Sequence, residues 1–293
     1  MHVAIIDVGS NTVRLLVAIW DGNTVASVHE ERAYLGLGAD LERLGRIPNG
    51  KLTLTGEVAR RYARTARRQG ADVVEVIVTA PGRQSANADV LVASLAGATG
   101  ATVRVLTAEE EGRLAFEGAV SACPSLPQTV AVCDVGGGST ELLVGTRTGG
   151  PAWCRSIDLG SQRLTSRFFV DDPPDKRSVA AARAEAEGAF MGVTAPLPMG
   201  ALATGGSAKA LRRLVGETLG AGELEEAIKI LRRRPSARIA DVFGIDELRA
   251  RTLIGGAILL LEAHRRVGVP FIVARAGLRE GAALSLLAEV AAA

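Results

Sequence analysis

Two stretches of this chain place a carboxylate, glycines and hydroxyls in the same order: Ile5-Ile6-Asp7-Val8-Gly9-Ser10-Asn11-Thr12 and Val132-Cys133-Asp134-Val135-Gly136-Gly137-Gly138-Ser139-Thr140-Glu141. Each is an apolar run, an aspartate, a glycine-containing turn ending in hydroxyls, and a second apolar run, which reads as a β-hairpin. Glycine lets a turn backbone come close to a ligand with its N–H groups facing an anion. An aspartate at the end of the first strand can hold a divalent cation, usually through water for Mg²⁺. Gly9, Ser10 and Asn11 in one turn, and Gly136, Gly137, Gly138 and Ser139 in the other, are therefore expected to bind phosphate. Asp7 and Asp134 are expected to face a metal. Glu141, on the strand leaving the second turn, could reach the same metal or could be a solvated strand residue. Three consecutive glycines exceed what a two-residue hairpin turn needs. The repetition predicts two related halves closing on one phosphate-bearing ligand.

Three further groups have chemical character. Thr204-Gly205-Gly206-Ser207 lies between a short strand and a helix, where free N–H groups and the helix N-terminus favour an anion; the plain alternative is a strand–turn–helix with Ser207 as N-cap. Gly205, Gly206 and Ser207 join the phosphate-binding candidates. In Glu109-Glu110-Glu111, Thr107 and Glu110 match a capping box, which makes Glu110 structural. Acids in a first helical turn also suit the helix dipole, so all three have a structural explanation. Helical spacing puts Glu111 with Leu114, Ala115 and Gly118, an inward stripe, and Glu109 with Arg113 and Phe116. A carboxylate on an apolar face at a helix N-terminus is the better general base, which selects Glu111. Arg83, in the Thr79-Ala80-Pro81-Gly82-Arg83-Gln84 segment between a strand and a helix, is positioned to hold a phosphate bidentately, or is a surface arginine.

These residues need a scaffold that brings both turns together. The first half reads as the Asp7 hairpin, a third strand (24–28), a glycine-rich connection (35–40), a helix (52–68), a strand (73–78), a helix (85–96), a strand (103–106) and a helix (107–120). Pro124 and Pro127 mark a boundary. The pattern then restarts: strands at 130–133, 141–144 and 153–158, helices at 162–169 and 179–190, and a short strand at 200–203. Mostly helices follow from 223 to 266, then a strand at 271–273 and a last helix from 278 to 291. Three strands followed by strand–helix alternation predict a mixed sheet covered by helices in each half, an α/β protein. The basic runs Arg60-Arg61, Arg67-Arg68 and Arg232-Arg233-Arg234 are solvated helix faces or the margins of a path for a polyanion.

Composition narrows the classes. The chain has 293 residues, enough for one large or two medium domains. A net charge of +2 gives no global field calling for nucleic acid. Cys123, Cys133 and Cys154 lack paired spacing, and His2, His29 and His264 are far apart. Neither a disulfide framework nor a structural zinc site is expected, and a reducing cytoplasm fits. The start of the chain has no leader pattern, and the longest apolar run, around 254–261, falls short of a bilayer span, so a protein without a membrane partner is expected.

Taken together, Asp7 to Asn11, Leu37 to Asp40, Thr79 to Arg83, Glu110 to Leu114, Asp134 to Glu141, Ser161 to Thr165, Thr204 to Ser207 and Gly277 to Gly281 resemble the exopolyphosphatase/guanosine pentaphosphate phosphatase (Ppx/GppA) family of the actin-like ATPase superfamily. The resemblance covers essentially the whole chain. It implies two actin-like (ribonuclease H-like) domains with an interdomain cleft: residues 1–121, joined by the C-terminal helix at about 278–293, and residues 122–277. It maps the family's catalytic glutamate to Glu111 and its phosphate- and metal-site positions to Arg83, Asp7, Asp134 and Glu141. It implies Mg²⁺ or Mn²⁺ as cofactor, inorganic polyphosphate or (p)ppGpp as partner, and a homodimer. Longer members carry an additional helical domain, so this chain is expected to belong with the short, two-domain members. Arg275-Ala276 departs from the polar or acidic pair common before Gly277. A sugar or acetate kinase relative and a non-catalytic sensor are the rival readings. Glu111 and the metal-site carboxylates favour water as phosphoryl acceptor over both.

Overall fold

The computed structural model describes residues 1–21, 24–123 and 125–292, with the side chains of 291 and 292 excepted. The Pro124 part of the boundary signal lies outside them. The first half runs β1 (His2–Val8), β2 (Thr12–Trp20), β3 (Val25–Tyr34), α1 (Leu37–Leu44), α2 (Asn49–Arg68), β4 (Val73–Val78), α3 (Ala80–Gln84), α4 (Ala88–Thr99), β5 (Thr102–Val105) and α5 (Ala108–Ser121). The second runs β6 (Thr129–Val135), β7 (Thr140–Thr146), β8 (Gly150–Ile157), α6 (Ser161–Phe168), α7 (Lys176–Ala189), β9 (Gly200–Thr204), α8 (Gly205–Val215), β10 (Thr218–Leu219), α9 (Ala221–Arg233), α10 (Ser236–Phe243), α11 (Glu247–Val267), β11 (Phe271–Val273) and α12 (Leu278–Ala292).

Each half builds one mixed sheet, and the two share an order. The first is β3-β2-β1-β4-β5; the second, read in the same direction, is β8-β7-β6-β9-β11, with β10 added at the edge. β1 and β2 are antiparallel while β4 runs parallel to β1, and β6, β7 and β9 repeat this arrangement. The central strands are apolar on both faces because helices cover both: β1 is buried from Val3 to Val8 and β6 from Val130 to Val135.

Several boundaries differ from expectation for local reasons. β3 extends to Tyr34, since its mixed sequence VASVHEERAY is an edge strand with no continuous apolar run to mark it. The glycine-rich connection turns into α1 at Leu37, after Gly36 adopts a left-handed φ of 64° and lets Leu37 and Leu41 point into the core. The segment around Arg83 is the short helix α3, with Pro81 in its first turn, and α4 starts only at Ala88. Ser207 is not an N-cap; α8 begins at Gly205, and Ser207 is already within its first turn. β10 has two residues, too few for a periodic signal.

The final helices are exchanged between the halves. From α5, Phe116, Ala119 and Val120 pack with Val130, Val132, Leu143 and Leu202 of the second sheet. From α12, Ala282, Ala283 and Leu286 pack with Val3, Ile5, Leu16 and Ile77 of the first. α5 and α12 cross in backbone contact, where a side chain at Gly118 would overlap the Gly277 carbonyl and one at Gly281 the Leu114 carbonyl. Among the described residues, no helix is long and apolar enough to cross a membrane.

Candidate active site

Both glycine turns emerge at the same end of the central strands and face each other. A side chain at Gly137 would start 2.9 Å from Ser10 Cβ, and one at Gly138 would start 2.7 Å from Ser10 Oγ. The turns are held by Gly9 N–H donating to the Thr12 carbonyl (3.0 Å) and Gly136 N–H donating to the Ser139 carbonyl (3.0 Å). Between them lies a cavity of about 90 Å³, room for only a few water-sized groups. Asp7, Gly9, Ser10, Asn11, Asp134, Gly136, Gly137, Gly138, Ser139, Gly205, Gly206 and Glu111 all line it.

The register shows how the two carboxylate strands are built. Asp7 stands opposite Arg14 on β2, and Asp134 stands opposite Glu141 on β7. On its other side Asp134 faces Thr204 of β9, and the following Gly205 has a φ of 82°, a backbone shape natural to glycine. A side chain at Gly205 would collide with Asp134 Oδ1. The glycine is therefore required there twice, by conformation and by space.

Glu111 is oriented by its helix. The capping box is formed, with Glu110 N–H donating to Thr107 Oγ1 (3.1 Å) and Thr107 N–H donating to Glu110 Oε2 (2.8 Å). This fixes the first turn of α5 so that Glu109 is exposed while Glu111 is buried, 7% accessible. Arg83 Nη1 donates to Glu111 Oε2 at 2.8 Å and to the Leu106 carbonyl at 2.8 Å. Burial nevertheless raises the Glu111 carboxyl to about 7; Arg83 opposes the rise, while Asp134 and Asp7 add to it. Asp134 is raised to about 6, again mainly by burial. Asp7 is raised for the same reason, with Arg14 the largest opposing influence.

Three expected site residues do not line the cavity. Arg83 sits behind Glu111 and is engaged with it. Glu141 is fully buried beneath the turn, where Ser156 Oγ donates to its Oε1 at 2.9 Å. Ser207 is also fully buried and packs toward α11, where a side chain at Gly256 would start 2.8 Å from its Cβ.

The donor chemistry fits a divalent cation. Asp7 Oδ1, Glu141 Oε2 and Ser10 Oγ are buried without a hydrogen-bond partner, a costly state that a cation or a phosphate would relieve. Among the described residues, no group of three His, Cys, Asp or Glu side chains is gathered closely enough to hold a metal alone. Mg²⁺ takes one or two carboxylates and completes its shell with water and substrate phosphates, a demand that Asp7 and Asp134 fit.

A cationic wall went unread in the sequence. Arg14, Lys209, Arg249 and Arg279 line the cavity from β2, α8, α11 and α12. Arg279 is paired, with Nη2 3.0 Å from Glu30 Oε2 and 3.6 Å from Glu280 Oε1. Arg14, Lys209 and Arg249 have no ion pair with a carboxylate among the described residues. Burial lowers Arg14 to about 10, helped by Arg279 and Arg249, and lowers Lys209 as well. The one available signal was Arg14 alone inside the apolar run TVRLLVAIW.

Comparison with known proteins places this geometry. Residues 16–290 match the Ppx/GppA phosphatase family. The chain belongs to that family. It is 28% identical over 305 residues to Exopolyphosphatase 1 of Mycobacterium bovis, covering 98% of this chain and 88% of that protein. It is 34% identical over 191 residues to Exopolyphosphatase 2 of Mycobacterium tuberculosis, covering 62% of this chain but only 59% of the relative. The crystal structure of the Aquifex aeolicus Ppx/GppA family member superposes with a TM-score of 0.82 at 27% identity, covering 99% of this chain and 98% of that one. An exopolyphosphatase from Cytophaga hutchinsonii, at 21% identity and a TM-score of 0.86, has the same fold. The two sheets are thus the two actin-like domains of a Ppx/GppA protein.

Proposed function

We propose that this protein is an exopolyphosphatase, hydrolysing the terminal phosphoanhydride bond of inorganic polyphosphate. The observation that carries the reading is the buried Glu111 carboxyl, held by Arg83 at the mouth of two facing glycine turns. The exopolyphosphatase relatives support the same substrate class.

Phosphoryl transfer asks a protein mainly for placement and charge neutralisation. The turn N–H groups of both halves would receive the terminal phosphates, and Arg14, Lys209 and Arg249 would balance their charge. Asp7 and Asp134, directly or through water, would hold Mg²⁺ or Mn²⁺, which supplies further neutralisation on the phosphate oxygens. Glu111, with a carboxyl near neutrality, takes a proton from a water in line with the terminal phosphorus. The water oxygen bonds to that phosphorus as the bridging P–O bond breaks. The electron pair stays on the shortened chain, and orthophosphate leaves. Arg83 keeps Glu111 in position. Ser156 holds Glu141 under the turn.

The test is orthophosphate release from long polyphosphate, tripolyphosphate, guanosine pentaphosphate and ATP with Mg²⁺, by the wild type and Glu111→Gln. Release from polyphosphate that the substitution abolishes, with binding retained, supports the reading. Preference for guanosine pentaphosphate would make this an alarmone phosphohydrolase, and binding without release from any of the four would make it a sensor.

A further inference from the structure

Each glycine turn rests on a helix of its own half. In the first half the backbone entering α1 holds the turn. Leu35 and Gly36 N–H donate to the Asn11 carbonyl (3.0 and 3.1 Å), and Gly38 N–H donates to the Ser10 carbonyl (2.8 Å). In the second half the first turn of α6 plays the same part. Ser161 N–H donates to the Gly136 carbonyl (2.9 Å), and Gln162 and Arg163 N–H donate to the Gly137 carbonyl (3.0 and 3.1 Å). Carbonyls committed to these helices are kept away from an incoming anion, which they would repel.

The two supporting helices also meet each other. A side chain at Gly38 would start 2.9 Å from Ser10 Cβ and 3.4 Å from Gln162 Cγ, so α1 lies against its own turn and against α6. One at Gly160 would start 2.4 Å from the Gly137 carbonyl oxygen, so α6 cannot shift without moving the second turn. Glu42 of α1 reaches across to α6. Its Oε2 lies 3.2 Å from Arg163 Nε, and its Oε1 accepts from Arg167 Nε at 2.6 Å. The Glu42 and Arg163 side chains are 24% and 12% accessible, which leaves this pair less screened than a surface one. Arg163 is fixed further by Asp158, whose carbonyl and carboxylate each lie 2.7 Å from its Nη1. Gln84 of the first half donates to Asp158 Oδ1 at 2.6 Å.

We propose that Glu42 is a positioning residue that sets the spacing of the two glycine turns, acting through Arg163 and Arg167 on α6. Glu42 does not line the cavity between the turns, so it acts only through these helices. Its effect on rate rests on the exopolyphosphatase reading; its effect on the turns rests on the helix contacts alone. A shift of about an ångström in a supporting helix would move the terminal phosphate relative to Glu111, which lowers the rate more than the affinity.

The experiment compares wild type, Glu42→Gln, Arg163→Gln, the double variant and Glu185→Gln. Glu185 is the control, since it pairs with Arg167 within the second half (2.8 Å) and spares Glu42. Two quantities are read: kcat and KM for tripolyphosphate with Mg²⁺, and amide hydrogen exchange in protein free of metal and substrate. The informative amides are Gly136 and Ser161 to Arg163, which are bonded between turn and helix; those of the β6–β9 ladder are the reference. Expected for Glu42→Gln is a kcat about fivefold to fiftyfold lower with KM within about threefold. Exchange at the four informative amides should be about twofold to tenfold faster, from the lost ion pairs, with the reference unchanged. Glu185→Gln should alter neither quantity. The double variant should lose no more than the worse single one, because both break the same link. Unchanged kcat, a change in KM alone, unchanged exchange at the informative amides, additive losses, or an equal effect of Glu185→Gln would each overturn the proposal. So would faster exchange at the reference amides, the mark of general destabilisation. If the wild type releases no phosphate from tripolyphosphate or longer chains, the hydrolase reading falls. Exchange then decides the positioning role: selective acceleration in Glu42→Gln upholds it, and its absence overturns it.

Discussion

Arg14 and Glu141 occupy the same register position in the two hairpins, each directly across from its half's turn aspartate, Asp7 or Asp134. At that position the duplicated scaffold thus carries a cation in the first half and an acid in the second. At this register position the site is asymmetric where the fold is symmetric. Replacing Arg14 by Gln should lower kcat/KM for polyphosphate by about 10-fold to 100-fold, the loss of one charged hydrogen bond. The effect should lie mostly in KM, and steady-state kinetics would show it.

Glu111→Gln should reduce kcat by about 10²-fold to 10⁴-fold while leaving polyphosphate affinity within a few-fold, because a neutral isostere keeps the shape and loses the base. Single-turnover measurement separates this outcome from a binding defect.

The pH dependence has a defined sign. Glu111 must be ionised to act as a base, so kcat/KM should fall as pH drops through about 7. Added Mg²⁺ should move this limb to lower pH, since positive charge nearby favours the carboxylate. Stability follows the same group. Its folded value lies above the ordinary 4.5, so between about 4.5 and 7 the native state holds more protons than the unfolded one. Metal-free protein should therefore lose stability as pH rises through that window, and Glu111→Gln should flatten the loss. Denaturant titrations at several pH values check both.

Mg²⁺ should raise the melting temperature of the wild type, and more so at pH 8 than at pH 6. Asp7 and Asp134 are the buried carboxylates that a cation would relieve, and their ionised forms are the ones it relieves. Asp7→Asn should remove most of that increment. Differential scanning calorimetry with and without chelator reads it directly.

Much of this site could be read from residue order because its signals are local. The aspartate–glycine turns, the Thr107–Glu110 capping box and the inward face of Glu111 each depend on fewer than a dozen neighbouring residues. The wall formed by Arg14, Lys209, Arg249 and Arg279 could not be read in this way. Its members come from four elements spread over most of the chain, and only the meeting of both sheets with α11 and α12 puts them on one cavity. Arg83 shows a subtler gap. Its position after β4 is visible in the sequence, but its engagement with Glu111 depends on α3 and α5 meeting across Leu106. The N-cap alternative for Ser207 gave way for the opposite reason: a local motif yielded to a helix starting two residues earlier, at Gly205.

The crossing of α5 and α12 offers another check. Gly118→Ala and Gly281→Ala should each destabilise the protein by about 1–3 kcal/mol, because a methyl group there must push two helix backbones apart. Chemical denaturation at fixed pH would measure it.

The exchanged helices also impose an order of events on a nascent polypeptide. A ribosome delivers the strands of the first sheet early, yet the face formed by Val3, Ile5, Leu16 and Ile77, covered in part by Leu106 and Leu114, gets the rest of its cover from α12, which is translated after the whole second sheet. Until then part of that apolar surface is exposed to solvent and to other chains. The first sheet is therefore fully enclosed only after the second half has been synthesised.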